Sequence, residues 1–219
     1  MNRLRLVIFD CDGVLIDSEP VVNRIVAAEL TQLGWPMTPE ESCERFLGLD
    51  LVAMVPLIET ALGRPLPSDW STEIAHRIVA ALRTEAPMIP GARDALAEVT
   101  ALGLPWRVAS NSSHPEMEAK FQANGILHMA VGRLHSFTDV PRGKPAPDLF
   151  LAAASAEGVA PRECLVIEDS VAGVTGAVAA GMPCLGFSPH NDGMALAAAG
   201  AIPFHSMAVL PGLIRRRLA

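Results

Sequence analysis

The sequence predicts an α/β fold, with a Rossmann-like parallel-sheet core interrupted by an inserted all-helical domain. Three observations predict it. Short apolar runs, Leu4-Arg5-Leu6-Val7-Ile8-Phe9 and Cys164-Leu165-Val166-Ile167, read as buried strands between segments of helical periodicity. Each run ends abruptly in carboxylates, Asp10 and Asp12 in the first case and Glu168 and Asp169 in the second, at the sheet edge where open α/β folds bind ligands. Four helical patterns in succession then separate the first strand from the next, which marks an insertion and not a regular βαβ series.

Taken in order, the first strand leaves through Gly13, whose backbone freedom suits a tight exit. From Ser18, Val22, Ile25, Val26, Leu30 and Leu33 recur at helical spacing until Gly34-Trp35-Pro36 ends the pattern. Thr38-Pro39-Glu40-Glu41 opens a second helix, Asp50 to Leu62 reads as a third and Ser68 to Ala86 as a fourth. The expected division is therefore a core of residues 1–17 and 87–219 and a helical domain of residues 18–86.

Pro87-Met88-Ile89-Pro90-Gly91 suits a hinge, followed by a helix from Ala92 to Leu102. Trp106 to Ala109 is the next strand, and Ser110-Asn111-Ser112-Ser113 leads from it into a helix through Phe121, collecting hydroxyls and backbone N–H groups where anions bind well. A short apolar piece follows at Met129-Ala130-Val131, then the constrained loop Arg142-Gly143-Lys144-Pro145 and a helix from Leu149 to Ala156. After the strand ending in Glu168 come a small-residue helix to Gly181, a strand at Pro183 to Phe187, and a closing segment through Ile202-Pro203-Phe204 to Leu218.

Composition narrows the function. A 50% hydrophobic and 19% charged chain of 219 residues is compact and globular. A net charge of −7, with Arg215-Arg216-Arg217 as the lone basic run, argues against a nucleic-acid backbone as partner. Cys11, Cys43, Cys164 and Cys184 have neither zinc-site spacing nor disulfide density, and the six histidines form no metal-binding pair. The N-terminal apolar run ends at Asp10, too early for a signal peptide, and no apolar stretch reaches membrane length. A cytoplasmic monomer acting on a small molecule is the expectation.

Asp10 and Asp12 repel each other unless a cation or shared proton intervenes, which favours a hard divalent metal. Alone, Asp-x-Asp-Gly serves equally as a turn capping the next helix, and a single lysine such as Lys144 reads as a surface charge. Together, Asp10 with Asp12, Ser110 with Asn111, Lys144, and Glu168 with Asp169 resemble in order and type the four motifs of the haloacid dehalogenase superfamily. The longer string Asp10-Cys11-Asp12-Gly13-Val14-Leu15-Ile16-Asp17-Ser18-Glu19 is similar to its first motif. With the helical cap after the first strand, the resemblance extends over nearly the whole chain to the sugar-phosphate phosphatases and phosphomutases.

That resemblance implies an aspartate-nucleophile phosphotransferase. Asp10 would attack phosphorus to form an aspartyl-phosphate, and Asp12 would protonate the leaving group and then accept a proton from water. It also implies Mg²⁺ on the Asp10 carboxylate, the Asp12 main-chain carbonyl and Asp169, with Glu168 in or beside the shell. Ser110 and the Asn111 backbone would bind the phosphoryl group, and Lys144 would offset both it and Asp10.

Rival reactions are a phosphomutase and a non-catalytic phosphosugar-binding protein. The mutases carry a cap histidine where this chain has Val22, which favours water as the final acceptor, and retention of both Asp10 and Asp12 favours catalysis. A dinucleotide site around Gly173-Val174-Thr175-Gly176 fails on glycine spacing and on the acidic pair before it. The cap loop Glu44-Arg45-Phe46-Leu47-Gly48 resembles that of bacterial phosphatases of sugar phosphates and phosphorylated sugar acids, 6-phosphogluconate phosphatases among them. Arg45 and Gly48 are the implied substrate contacts there.

Overall fold

The computed structural model describes residues 3–46 and 49–218. The chain divides into two compact units, one formed by the residues through Asp17 together with those from Pro87 onward, the other by Ser18–Ala86.

The first unit begins with β1 (Leu6–Phe9), four residues that are all buried. Four helices make up the second unit: α1 (Glu19–Leu33), α2 (Pro39–Phe46), α3 (Leu51–Leu62) and α4 (Trp70–Glu85). Their starts are set locally. Before α2, Thr38 and Glu41 bond reciprocally: the Glu41 N–H donates to Thr38 Oγ1 and the Thr38 N–H to Glu41 Oε2. Asp50 caps α3 by accepting from the Ala53 N–H at 2.7 Å. Val21, Ile25, Val26 and Leu30 form the buried stripe of α1, and Ile74, Ile78 and Leu82 that of α4.

The first unit continues through α5 (Ala92–Ala101), β2 (Trp106–Ser110), α6 (His114–Ala123), α7 (Leu127–Ala130), β3 (Leu134–Ser136), α8 (Asp148–Ala156) and β4 (Cys164–Glu168). It closes with α9 (Val171–Ala179), β5 (Cys184–Phe187), α10 (Met194–Ala199), β6 (Ile202–Phe204) and α11 (Leu210–Leu218). The six strands form one parallel sheet in the order β3-β2-β1-β4-β5-β6. The fold is thus α/β and Rossmann-like. Leu6, Ile8, Val166, Leu149, Phe150, Val174 and Ala177 belong to the hydrophobic core that covers β1 and β4 with α8 and α9. Burying each of the larger of these side chains contributes roughly 1.5–3 kcal/mol.

Register makes the site. Phe9 lies opposite Val108 on one side and Ile167 on the other, so Asp10 emerges between the ends of β2 and β4. The chain winds outward from β1 to β3 and then returns to β4 on the opposite side, creating the crevice that such a reversal leaves at the carboxyl edge. Just beyond, the chain leaves and re-enters the first unit along a paired stem: the Asp17 N–H donates to Pro87 O and the Ile89 N–H to Leu15 O, both at 2.9 Å, with Ile16 bridged antiparallel to Met88.

The sheet's outer strands differ from what hydrophobic runs alone predict. The apolar piece at Met129-Ala130-Val131 sits at α7, and the strand beyond it is Leu134–Ser136. The closing segment supplies β6, with Pro203 on an edge strand, where a missing N–H is tolerated.

Candidate active site

Asp10 follows β1 directly and is buried, its N–H donating to Ile167 O at 2.9 Å. Lys144 Nζ donates to Asp10 Oδ1 at 2.5 Å and to Glu168 Oε1 at 2.6 Å, so one ammonium joins the ends of two neighbouring strands. The Lys144 side chain is 4% exposed, and its Nζ lies 5.2 Å from the centre of the Phe150 ring. Although burial disfavours its charge, Asp10 and Glu168 hold the Lys144 ammonium above the usual lysine range.

Glu168 is fully buried and heavily bonded. Its Oε2 accepts from the Asp169 N–H, the Ser170 N–H and Ser170 Oγ at 2.9–3.0 Å, while Oε1 accepts from Lys144. The carboxylate occupies the space a side chain at position 173 would need: a Cβ on Gly173 would stand 1.8 Å from Glu168 Oε1. Gly173 therefore serves close helix–carboxylate packing. Gly13, at φ +74°, has the same relation to Asp169, whose Oδ2 lies 1.8 Å from where a Cβ would be.

Carboxylate oxygens of Asp10, Glu168 and Asp169 lie within 4.8 Å of one another. Burial pushes the Asp10 carboxyl up to about 7; Lys144 opposes this, while Glu168 and Asp12 add to it. With all four carboxylates (Asp10, Asp12, Glu168, Asp169) ionised against two ammonium groups (Lys120, Lys144), the formal excess is two negative charges. An all-oxygen donor set with that excess suits one hard divalent cation.

Asp12 points into a second cluster. Its Oδ1 accepts from Lys120 Nζ at 2.5 Å, and its Oδ2 accepts from Ser112 Oγ at 2.7 Å and from Ser110 Oγ at 3.2 Å. Ser110 Oγ in turn accepts from the Ser112 N–H at 3.0 Å. The Asn111 side chain turns instead to the Lys144 loop, accepting from the Lys144 N–H and donating to its carbonyl. His114 pairs with Asp139 at 2.9 Å, and Ser113 with Glu116 starts α6.

Of the residues singled out by sequence, Asp10, Asp12, Ser110, Asn111, Lys144, Glu168 and Asp169 come together at this edge. Arg45 belongs to the helical unit, where its guanidinium stacks 5.0 Å from the centre of the Trp35 ring. Together with Pro36, Met37, Glu41 and Glu44 it lines a cavity of about 480 Å³. Gly48 lies outside the described residues. Sequence reasoning missed Lys120 and treated Ser112 as part of a helix start. A signal existed, because Lys120 falls three residues after buried Met117 and beside buried Phe121, on the inward stripe of α6, where a lysine requires an acidic partner.

The haloacid dehalogenase-like hydrolase family model matches residues 4–181. The chain is 34% identical over 194 residues to 6-phosphogluconate phosphatase of Escherichia coli K12, covering 87% of this chain and 86% of that one. It is 31% identical over 191 residues to hexitol phosphatase A of the same organism, again covering 87% and 86%. A crystal structure of a haloacid dehalogenase-like protein from Agrobacterium tumefaciens superposes with a TM-score of 0.83 at 32% identity, covering 99% of this chain and all of the other. With the sheet order, the paired acidic strand ends and the buried lysine between them, these matches make the chain a member of the haloacid dehalogenase-like hydrolase family.

Proposed function

We propose that the protein is a Mg²⁺-dependent phosphatase that hydrolyses a small phosphorylated sugar or sugar acid through a phosphorylated Asp10. The chain is a phosphoric monoester hydrolase by family and by the activity of both curated relatives. The observation that carries the mechanism is the buried Lys144, 2.5 Å from Asp10 and 2.6 Å from Glu168, with Asp12 two residues along the same strand exit. Such an ammonium holds one Asp10 oxygen and leaves the carboxylate oriented for attack on an electrophile at the crevice.

Asp10 attacks phosphorus while the ester oxygen leaves, taking a proton from Asp12. Water then attacks the phosphorus of the acyl phosphate, gives a proton to Asp12 and frees the Asp10 carboxylate with inorganic phosphate. Ser110 and the Asn111 backbone hold the phosphoryl oxygens. Asp10, Asp169 and the Asp12 main-chain carbonyl would hold Mg²⁺, which when bound offsets the charge that the phosphate dianion brings to an already acidic site. The oxygens of Glu168 already accept four hydrogen bonds, so it anchors Lys144 and Asp169 and leaves direct ligation to the aspartates. Val22, where a relay histidine would serve transfer to a second sugar hydroxyl, has no proton to exchange, and the reaction ends at water. Selectivity is assigned to the helical unit, residues 18–86, with Arg45 the first residue to test.

Phosphate release from a panel of sugar, polyol and sugar-acid phosphates, with and without Mg²⁺, tests this reading. Asp10→Asn should abolish turnover, and Asp169→Ala should raise the Mg²⁺ concentration needed for activity. Wild-type-like hydrolysis by the Asp10→Asn variant, or conversion of a sugar 1-phosphate to its 6-phosphate without phosphate release, would overturn it.

A further inference from the structure

We propose that Lys120 is a positioning residue that locks the acid–base carboxylate of Asp12 into its working orientation, a role that rests on the phosphatase reading above. The Lys120 side chain is 2% exposed. Its Nζ donates to Asp12 Oδ1 at 2.5 Å and to Ser112 Oγ at 2.8 Å, and Ser112 Oγ donates to Asp12 Oδ2 at 2.7 Å. The three groups close a ring in which each carboxylate oxygen is held by a different donor. An aspartate side chain with two rotatable bonds is otherwise free to sample several rotamers, and general acid–base transfer demands one.

Lys120 and Ser112 are themselves firmly placed. The Ser113 N–H and Oγ both bond Glu116 Oε2, fixing the start of α6, and Asn124 Nδ2 donates to Lys120 O one turn later. Met117, Ala119 and Phe121, buried on either side of Lys120, anchor the helix to the core. The ammonium approaches Asp12 from α6, whereas Lys144 approaches Asp10 from the loop before α8; the nucleophile and the acid–base group each have their own buried cation. Burial disfavours the charged form of Lys120, and the acidic surroundings, Asp12 first among them, outweigh it.

A cation that merely balanced charge would leave all phosphate esters equally affected by its loss. A positioning role affects them unequally, because a sugar alkoxide cannot depart without a proton from Asp12 while 4-nitrophenolate can. Both esters need Asp12 again when water opens the phosphorylated Asp10.

The test compares a sugar phosphate with 4-nitrophenyl phosphate in saturating Mg²⁺, by stopped flow and at steady state, for wild type, Lys120→Met, Ser112→Ala and Asp10→Asn. Lys120→Met should lose roughly 100-fold in kcat on the sugar phosphate with little change in KM. On the aryl ester it should release the first equivalent of nitrophenolate at a rate within about 3-fold of wild type, then turn over slowly with phosphorylated Asp10 accumulating. Ser112→Ala, which keeps the charge and removes one member of the ring, should show the same pattern more mildly, and it decides the matter if Lys120→Met does not fold. Equal losses on both esters in the first turnover, or an unchanged kcat on the sugar phosphate, would overturn the role of Lys120 alone. A wild type that cleaves neither ester, or an Asp10→Asn variant as active as wild type, would overturn the phosphatase reading and this proposal together.

Discussion

Asn111 and Lys144 hold each other through a reciprocal pair of hydrogen bonds: the Lys144 N–H donates to Asn111 Oδ1 at 2.9 Å, and Asn111 Nδ2 donates to the Lys144 carbonyl at 3.1 Å. The side chain at the end of β2 thereby fixes the backbone from which Lys144 reaches Asp10. Asn111→Ala should leave the fold intact by circular dichroism and lower kcat by roughly 10-fold, because the loop loses two bonds worth about 1 kcal/mol each. An unchanged kcat would show that Pro145 and the Asp10 contact suffice to place the lysine.

Replacing Lys144 exposes how much the acidic pair depends on it. Lys144→Met leaves Asp10 and fully buried Glu168 without their shared counter-charge, and urea unfolding in metal-free buffer should show a loss of roughly 3–5 kcal/mol. Adding Glu168→Gln should recover part of that loss. Strictly additive effects in the double variant would mean that the two groups do not interact.

A pH dependence follows from His135, next to Arg107 with 3.1 Å between Nη1 and Nε2. Burial, then the Arg107 charge, lowers the His135 pKa below its ordinary 6.5. The unfolded chain therefore takes up a proton first as the pH falls, so the stabilisation from neutral His135 is complete above about 6.5 and is lost as pH drops through the depressed folded value. Thermal melts between pH 7.5 and 5.5 should show wild type losing more Tm than His135→Gln. Parallel losses in the two proteins would rule this out.

Arg45→Ala separates recognition from chemistry. If the guanidinium binds the part of the substrate remote from phosphorus, kcat/KM should fall by about 10-fold or more on the preferred sugar phosphate and hardly at all on a small aryl phosphate. Its stacking on Trp35 gives the alternative a definite form: equal losses on both esters, or none on either, would assign Arg45 to packing within the helical unit.

The central strands were legible because β1 and β4 are buried on both faces and read as unbroken apolar runs ending in acid. The edge strands were not. Leu134-His135-Ser136 and Ile202-Pro203-Phe204 are three residues each and acquire strand geometry only by adding to β2 and β5. Within the site, carboxylates after a strand announce themselves, and motif order points to Lys144. Lys120 shows only the indirect sign of a lysine on the inward stripe of α6, and the sequence does not name its partner, because Asp12 is 108 residues away. The part taken by the Asn111 side chain was hidden because its contact with Lys144 spans 33 residues, across α6, α7 and edge strand β3.

The paired stem formed by Leu15–Asp17 and Pro87–Ile89 makes the helical unit an exchangeable part. Because the two chain segments leave and return side by side, the ends of the insertion are already closed on each other. The entropic cost of closure grows only with the logarithm of the inserted length. A longer, shorter or unrelated segment grafted between Asp17 and Pro87 would leave the β1–β4 register untouched. The residues that surround Asp10 therefore stay on the sheet edge whatever segment the stem closes.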